Sequence, residues 1–155
     1  MTVKPSPIPP GPRLIPTLVV ADAGAALDFY VKAFGAEEIL RLHGPGGRVE
    51  HAEFSLFGGV VYLGSEWPSL GFRPPTPGHT AATVVLNVED VDAFAARAVA
   101  AGATLERPVA DEFYGDRVAR LRDPFGHAWA AHARVEEVAL PEMQRRLDAL
   151  YAQPS

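Results

Sequence analysis

The chain has 155 residues and contains no cysteine. Disulfide bonds, thiolate metal ligands and cysteine nucleophiles are therefore excluded. No apolar run is long enough to span a membrane and no charged-then-apolar leader opens the chain, so we expect a cytoplasmic protein that does not contact membranes. The net charge of −5 disfavours nucleic-acid binding. The composition is typical of a globular protein, with 48% hydrophobic and 21% charged residues.

The most informative feature present is an internal repeat. The first copy has a strand, then Asp22 and a helical segment that ends at Gly35. In the second copy Asp90 corresponds to Asp22, at an offset of 68 residues, and Gly102 corresponds to Gly35, at an offset of 67. The offset of 67 continues through four further pairs: Ala52/Ala119, Phe54/Leu121, Gly59/Gly126 and Tyr62/Trp129. A period this long indicates a duplicated supersecondary module rather than a solenoid, whose repeats are shorter.

Each copy predicts a strand, a helix and three further strands. Asp22 and Asp90 are placed to cap the two helices, and Gly35 and Gly102 to end them. A segment with five prolines precedes the first copy, and an amphipathic helix candidate follows the second. The predicted organisation is a Pro-rich arm at 1–13, a first module at 14–64, a linker at 65–80, a second module at 81–133, and a C-terminal helix and tail at 134–155.

Several short motifs carry a resemblance to a known family. They are Val-Val-Ala-Asp to Asp-Phe-Tyr at 19–30, Val-Glu-Asp-Val-Asp-Ala-Phe at 88–94, Ala-Ala-Gly-Ala at 100–103 and Asp-Pro-Phe-Gly-His at 123–127. With the paired modules, they resemble the vicinal oxygen chelate superfamily of glyoxalase I, extradiol dioxygenases and bleomycin-resistance proteins. Phe-Tyr-Gly-Asp-Arg at 113–117 and the segment 141–147 resemble its PhnB-like branch. The resemblance implies an α+β fold in which two βαβββ modules form a curved mixed sheet around a cavity, and it implies a homodimer.

The resemblance also locates a metal site that can be tested against the sequence. Metal-dependent members place a His, Glu or Gln ligand on the first and last strand of each module. Counting from the capping aspartates and from the glycine turns assigns these positions to Ile15, Leu63, Thr83 and Ala130. None of the four is a good metal ligand. We therefore expect neither a metal at the usual position nor another cofactor.

Other polar and aromatic residues are candidates for binding. Strand alternation predicts that His51, Glu53, Thr83 and Arg120 face the cavity and that Tyr62 faces a helix. Glu53 and Arg120 are equivalent in the repeat, and they form either a structural ion pair or a patch that orients a ligand. Aromatic side chains in loops are either pocket walls or dimer contacts. The candidate binding residues are His51, Glu53, Trp67, Thr83, Tyr114, Arg117 and Arg120.

Three functions are compatible with these features. The first is a metal-free protein that sequesters a small organic ligand or antibiotic, as bleomycin-resistance proteins do. The alternative is a lyase, isomerase or dioxygenase of the same superfamily with a relocated metal or an acid–base site at His51 and Glu53, to which His132 is a possible addition. The third is a structural or regulatory dimer without a ligand.

Overall fold

The computed structural model describes residues 7–154, so the first part of the Pro-rich arm, including Pro5, lies outside the described residues. The chain divides into two compact units. The first comprises the chain up to Val31 together with Gly35–Pro74, and the second comprises Lys32–Phe34 together with the chain from Pro75 onward.

The first unit has the predicted strand–helix–three-strand order. Its elements are β1 (Thr17–Val20), α1 (Ala23–Phe34), β2 (Glu37–His43), β3 (Val49–Leu56) and β4 (Gly59–Ser65), and the last three residues of α1 belong to the second unit. The sheet order is β1-β4-β3-β2, with β1 parallel to β4 and the other pairs antiparallel. Helix α1 begins where the Asp22 carboxylate accepts a bond from the Ala25 amide at 3.0 Å. The Tyr30 ring packs on Phe54 of β3 at 5.1 Å, so α1 covers that face of the sheet.

The second unit repeats this order and adds a helix. Its elements are β5 (Thr83–Asn87), α2 (Val91–Ala101), β6 (Thr104–Asp111), β7 (Asp116–Arg122), β8 (Ala128–Arg134) and α3 (Leu140–Tyr151). The sheet order is β5-β8-β7-β6, with β5 parallel to β8. Asp90 caps α2 through a bond from the Ala93 amide at 2.9 Å. The predicted pair of βαβββ modules with a C-terminal helix is confirmed, and the strands form two four-stranded mixed sheets.

The strand pairing corrects the repeat alignment after the third strand. Leu18 pairs with Leu63 in the first unit, and Leu86 pairs with Ala131 in the second, which gives an offset of 68 for the last strands. The third strands keep the offset of 67. Leu63 pairs with Ala52, and its equivalent in the last strand of the second unit, Ala131, pairs with Ala119, which is 67 residues after Ala52. The extra residue lies in the second hairpin, whose turn spans Asp123–His127.

This correction changes the predicted faces of β4. Side chains of directly paired residues lie on the same face of a sheet, and Val61 pairs with Phe54, which contacts α1. Leu63 lies on this helix-covered face and is fully buried. The expectation that Leu63 faces a cavity while Tyr62 faces a helix is therefore wrong. Tyr62 pairs with Glu53 on the opposite face and is the equivalent of Ala130.

Strand β6 continues through Pro108 to Asp111. It can accommodate a proline because it is an edge strand whose register shifts between Arg107 and Ala110. Helix α3 lies within the predicted C-terminal segment, but it buries none of its side chains and leaves Leu140 and Tyr151 76% and 84% exposed. In residues 7–154, no helix combines the length and hydropathy that crossing a membrane requires.

Candidate ligand-binding site

The second sheet has an apolar face that packs on α2 and an opposite face on which charged and polar side chains stand beside the buried residues Val118 and Ala130. Ala119 and Ala131 lie on the apolar face and pack with Val91 and Ala95 of α2. The opposite face, called the His132 face below, carries the alternate residues of β7 and β8. Val118 pairs there with His132, and Arg120 pairs with Ala130. The alternation of β7 and β8 thus directs an imidazole and a guanidinium to the same side of the sheet.

A tight turn joins β6 to β7 and is fixed by the segment before α3. In this Tyr114 turn, Glu112–Gly115, the Gly115 amide donates to the Glu112 carbonyl at 3.0 Å. The Gly115 carbonyl accepts bonds from the amides of Val135 and Glu136 at 2.9 and 3.0 Å. Gly115 has φ +98°, and a Cβ atom there would lie 2.2 Å from the Glu136 carbonyl oxygen. Only glycine therefore permits this close approach.

Helix α3 secures the same turn through one arginine. The Arg146 guanidinium donates to the Phe113 carbonyl at 3.2 Å and to the Glu136 carboxylate at 2.6 Å. It also donates to Glu142, one turn earlier on α3, at 2.8 Å. The polar side of α3 thus ties the Tyr114 turn to the C-terminal segment, although the helix buries no apolar side chain.

The Tyr114 turn places an aromatic ring against His132. The Tyr114 and His132 rings are stacked with centroids 6.2 Å apart and planes at 21°, and Phe113 contacts Tyr114 edge-on at 5.1 Å. His132 Nδ1 lies 3.1 Å from Asp116 Oδ2, and Arg134 also donates to Asp116. Within residues 7–154, Nε2 of His132 makes no hydrogen bond.

The charges around this pair keep Asp116 ionised. Burial raises the pKa of the Asp116 carboxyl, but the hydrogen bonds from Arg134 and His132 outweigh it, and the net pKa lies below the ordinary value. The Asp116 carboxylate can only accept a hydrogen bond, so its contact with Nδ1 orients the His132 imidazole on this face.

Arg120 lies on the same face as His132, two residues after Val118 on β7. Its guanidinium is 3.8 Å from the Glu112 carboxylate, which is too long for a hydrogen bond. Burial raises the pKa of the Tyr114 hydroxyl, Glu112 adds to the rise, and Arg120 opposes it through its charge and a hydrogen bond. Tyr114 therefore stacks on His132 and lies close enough to Arg120 for the guanidinium to oppose the rise in its pKa. A guanidinium has five N–H donors, more than these two partners use.

The first unit has a smaller polar cluster on the sheet face opposite α1. His51 Nε2 lies 2.9 Å from Glu53 Oε1, and the His51 ring contacts Tyr62 edge-on at 5.3 Å. Glu53 thus has a partner in its own unit, as Arg120 has in Glu112. The predicted association of Glu53 with Arg120 stays a prediction.

Arg117 has a different environment from Arg120. It lies on the helix-covered side, where it donates two hydrogen bonds to Asp92 of α2, at 2.6 and 2.9 Å, and one to Asp111 at 3.0 Å. This bidentate contact ties β7 to α2. We therefore leave Arg117 out of the proposed site.

The remaining candidates lie at exposed positions. Trp67 and Phe72 pair across a short turn in the predicted linker, and both rings are about half exposed. Thr83 is exposed at the start of β5, an edge strand. The role of Trp67 and Thr83 in binding stays a prediction.

The residues at the family's metal positions do not fit a divalent metal. With the corrected register, these positions are Ile15, Tyr62, Thr83 and Ala130. Two are apolar, and the others offer a phenol and an alcohol instead of imidazole or carboxylate donors. In the part of the chain from 7 to 154, no three His, Asp or Glu side chains come together as a metal-binding group, and His51 with Glu53 supplies only two donors.

Comparison with known proteins agrees with the fold. The model of the Glyoxalase/Bleomycin resistance protein/Dioxygenase superfamily matches residues 14–131, and the chain belongs to this superfamily. A Mycobacterium tuberculosis protein, Rv0887c, is 43% identical over 142 residues, which cover 89% of this chain and 84% of that protein.

Solved structures show the same fold. TioX from Micromonospora sp. ML1 is 31% identical with a TM-score of 0.64, over 80% of this chain and 99% of its own. The fosfomycin resistance protein FosX from Listeria monocytogenes, solved with Mn(II) and sulfate, is 21% identical with a TM-score of 0.62, over 90% of this chain and 99% of its own. The PhnB-like branch and the homodimer stay predictions.

Proposed function

We propose that this protein binds a small organic molecule on the His132 face of its second unit and that binding needs no divalent metal at the family's usual position. The observation that carries the proposal is the cluster of Tyr114, Arg120 and His132. Tyr114 stacks on His132, Arg120 lies on the same sheet face as His132, and the Tyr114 turn is fixed by the C-terminal segment. A site whose side chains are already ordered loses little entropy on binding.

The chemistry of the cluster defines the kind of ligand. The stacked rings of Tyr114 and His132 provide an aromatic surface for a planar group. Arg120 suits a carboxylate or phosphonate, whose oxygens match its planar set of donors. We therefore propose a ligand that combines a ring with an anionic or hydrogen-bonding group. The superfamily includes resistance proteins as well as enzymes, so a binding protein is within its range.

Removing the Arg120 charge should weaken binding without unfolding the protein. A thermal-shift screen of phosphonates, aromatic carboxylates and aromatic antibiotics identifies a compound, and titration calorimetry measures its dissociation constant. We expect Arg120→Gln to raise that constant about tenfold or more, because a hydrogen bond to a charged group contributes about 1.5–3 kcal/mol.

Arg117→Gln is the matched control, because it removes the same charge from the same strand on the other face. Its dissociation constant should stay within about twofold of the wild-type value, since substitutions away from a site change binding little. Equal weakening by the two variants would contradict the proposed site.

A second function is favoured by the His132–Asp116 pair. An imidazole held at Nδ1 by a carboxylate can accept a proton at Nε2, which is how a general base works. The protein would then be a lyase or isomerase that acts on the bound molecule. Mass spectrometry of the recovered compound separates the two functions: conversion that is lost in His132→Gln while binding persists would favour the enzyme.

A further inference from the structure

A cavity of about 310 Å³ lies in the first unit beneath the Pro-rich arm. Its wall consists of four arm prolines with Ile8 and Arg13, and its other side consists of Ile15 and Tyr62. The described residues that line this arm cavity all belong to the first unit, and none of them is a residue of the His132 face. Its volume falls within the range of small-molecule sites, about 300–1,000 Å³.

The composition of the arm explains why it forms a wall instead of a strand. Proline has no backbone N–H and cannot donate to a sheet ladder. The β1–β4 pairing accordingly starts after the arm, where the Tyr62 amide donates to the Pro16 carbonyl at 3.0 Å. Because the prolines have no backbone N–H, their apolar rings can border the cavity without burying an amide that lacks a hydrogen-bond acceptor.

The opposite side of the cavity is ordered by the His51 cluster. Tyr62 packs edge-on against His51, and His51 is held by Glu53 at 2.9 Å. Tyr62 also stands at one of the positions where the superfamily's metal ligands are expected. Where metal-dependent members have a metal-coordinating side chain, this protein thus has an aromatic one, and the cavity that it borders suits an organic ring.

Arg13 supplies the only charge among the lining residues that belong to the described part of the chain. Within residues 7–154 it forms no ion pair or hydrogen bond, whereas most arginines of the described chain have an acidic or carbonyl partner. A guanidinium in a mainly apolar wall selects a carboxylate by charge and geometry. An apolar cavity of about 150 Å³ holds benzene, so the arm cavity has room for one substituted ring.

From these features we propose that the arm cavity is a second binding site, specific for a monocyclic aromatic carboxylate. The aromatic ring lies among the prolines, Ile15 and Tyr62, and the carboxylate pairs with Arg13. This site does not depend on the function proposed for the His132 face.

Benzoate and its neutral isostere benzamide test the proposal on the full chain. Calorimetry and ligand-observed saturation-transfer NMR measure the two dissociation constants. We expect benzoate to bind at least about tenfold more tightly than benzamide, because only benzoate forms a charged pair with Arg13. Arg13→Gln should reduce the benzoate affinity to that of benzamide.

All of these titrations are made in the Arg120→Gln background, because the His132 face is itself proposed to bind a ring with an anionic group and would otherwise contribute to the preference for benzoate. Arg73→Gln is the control, since it removes an exposed arginine of the same unit that does not line the cavity, and it should leave the preference for benzoate unchanged. The proposal is overturned if benzoate shows no saturable binding, if benzamide binds equally well, or if the preference for benzoate is kept in Arg13→Gln.

Discussion

Replacing Gly115 with alanine should lower the free energy of unfolding by about 3 kcal/mol. The new methyl group would lie 2.2 Å from the Glu136 carbonyl oxygen, and Gly115 has φ +98°, where other residues are strained. The backbone of one of the two segments must move, because neither contacting group is the end of a flexible side chain. Chemical denaturation followed by circular dichroism measures the loss.

Gly71→Ala is the matched control for this variant. Gly71 also has a positive φ, +84°, but a Cβ atom there would meet nothing within 4 Å. We expect a loss of only about 1 kcal/mol, the cost of the backbone conformation alone. Equal losses in the two variants would show that the contact between Gly115 and Glu136 does not determine stability.

The same substitution should also affect the proposed site. The Tyr114 turn shares its hydrogen bonds with Val135 and Glu136, so moving these segments apart displaces Tyr114 from His132. Ligand binding on the His132 face should therefore weaken in Gly115→Ala at temperatures where the variant remains folded. Binding in the arm cavity should persist, because that cavity lies in the first unit.

Asp123→Ala should lower the free energy of unfolding by about 3 kcal/mol, since each buried donor left without a partner costs about 1–3 kcal/mol. The Asp123 carboxylate accepts bonds from the amides of Phe125 and His127, both at 2.9 Å, and from the Trp129 indole at 2.8 Å. Asp123 is 4% exposed and Trp129 is 1% exposed, so water cannot readily replace the lost acceptor. Denaturant titration of the variant checks the value.

A double-mutant cycle isolates the indole contact. Asp123→Asn keeps one oxygen for the turn amides but sets an amide donor against the indole donor of Trp129. Trp129→Phe removes the indole N–H, so Asp123→Asn should cost less stability in the Trp129→Phe background than in the wild type. The same cost in both backgrounds would contradict a stabilising bond between Asp123 and Trp129.

The fold could be predicted from the sequence because its helix ends are marked by residues that act locally. Asp22, Asp90 and Gly35 act as caps because their chemistry suits helix ends wherever the helix lies. The repeat alignment failed only in the last strands. Gly59 is the first residue of β4, whereas Gly126 lies in the turn before β8, so matching one glycine to the other displaced the register by one residue and turned Leu63 to the wrong face.

The candidate site was harder to predict because its contacts cross the sheet. His132 and Asp116 are 16 residues apart and meet only through the pairing of β7 with β8. The sequence made His132 a possible addition to a site at His51 and Glu53, but nothing in it indicated a contact between His132 and Asp116. The arm cavity had no sequence signal either, since proline content predicts an extended arm without fixing its path.

The central claim is that a small organic molecule binds on the His132 face without a divalent metal. Titration calorimetry with the compound selected by the screen, before and after exhaustive dialysis against a chelator, tests it most directly. We predict the same dissociation constant in both titrations and a tenfold weaker one in Arg120→Gln. Binding that disappears on chelation, returns with added manganese or zinc, and is unaffected by Arg120→Gln would contradict the account.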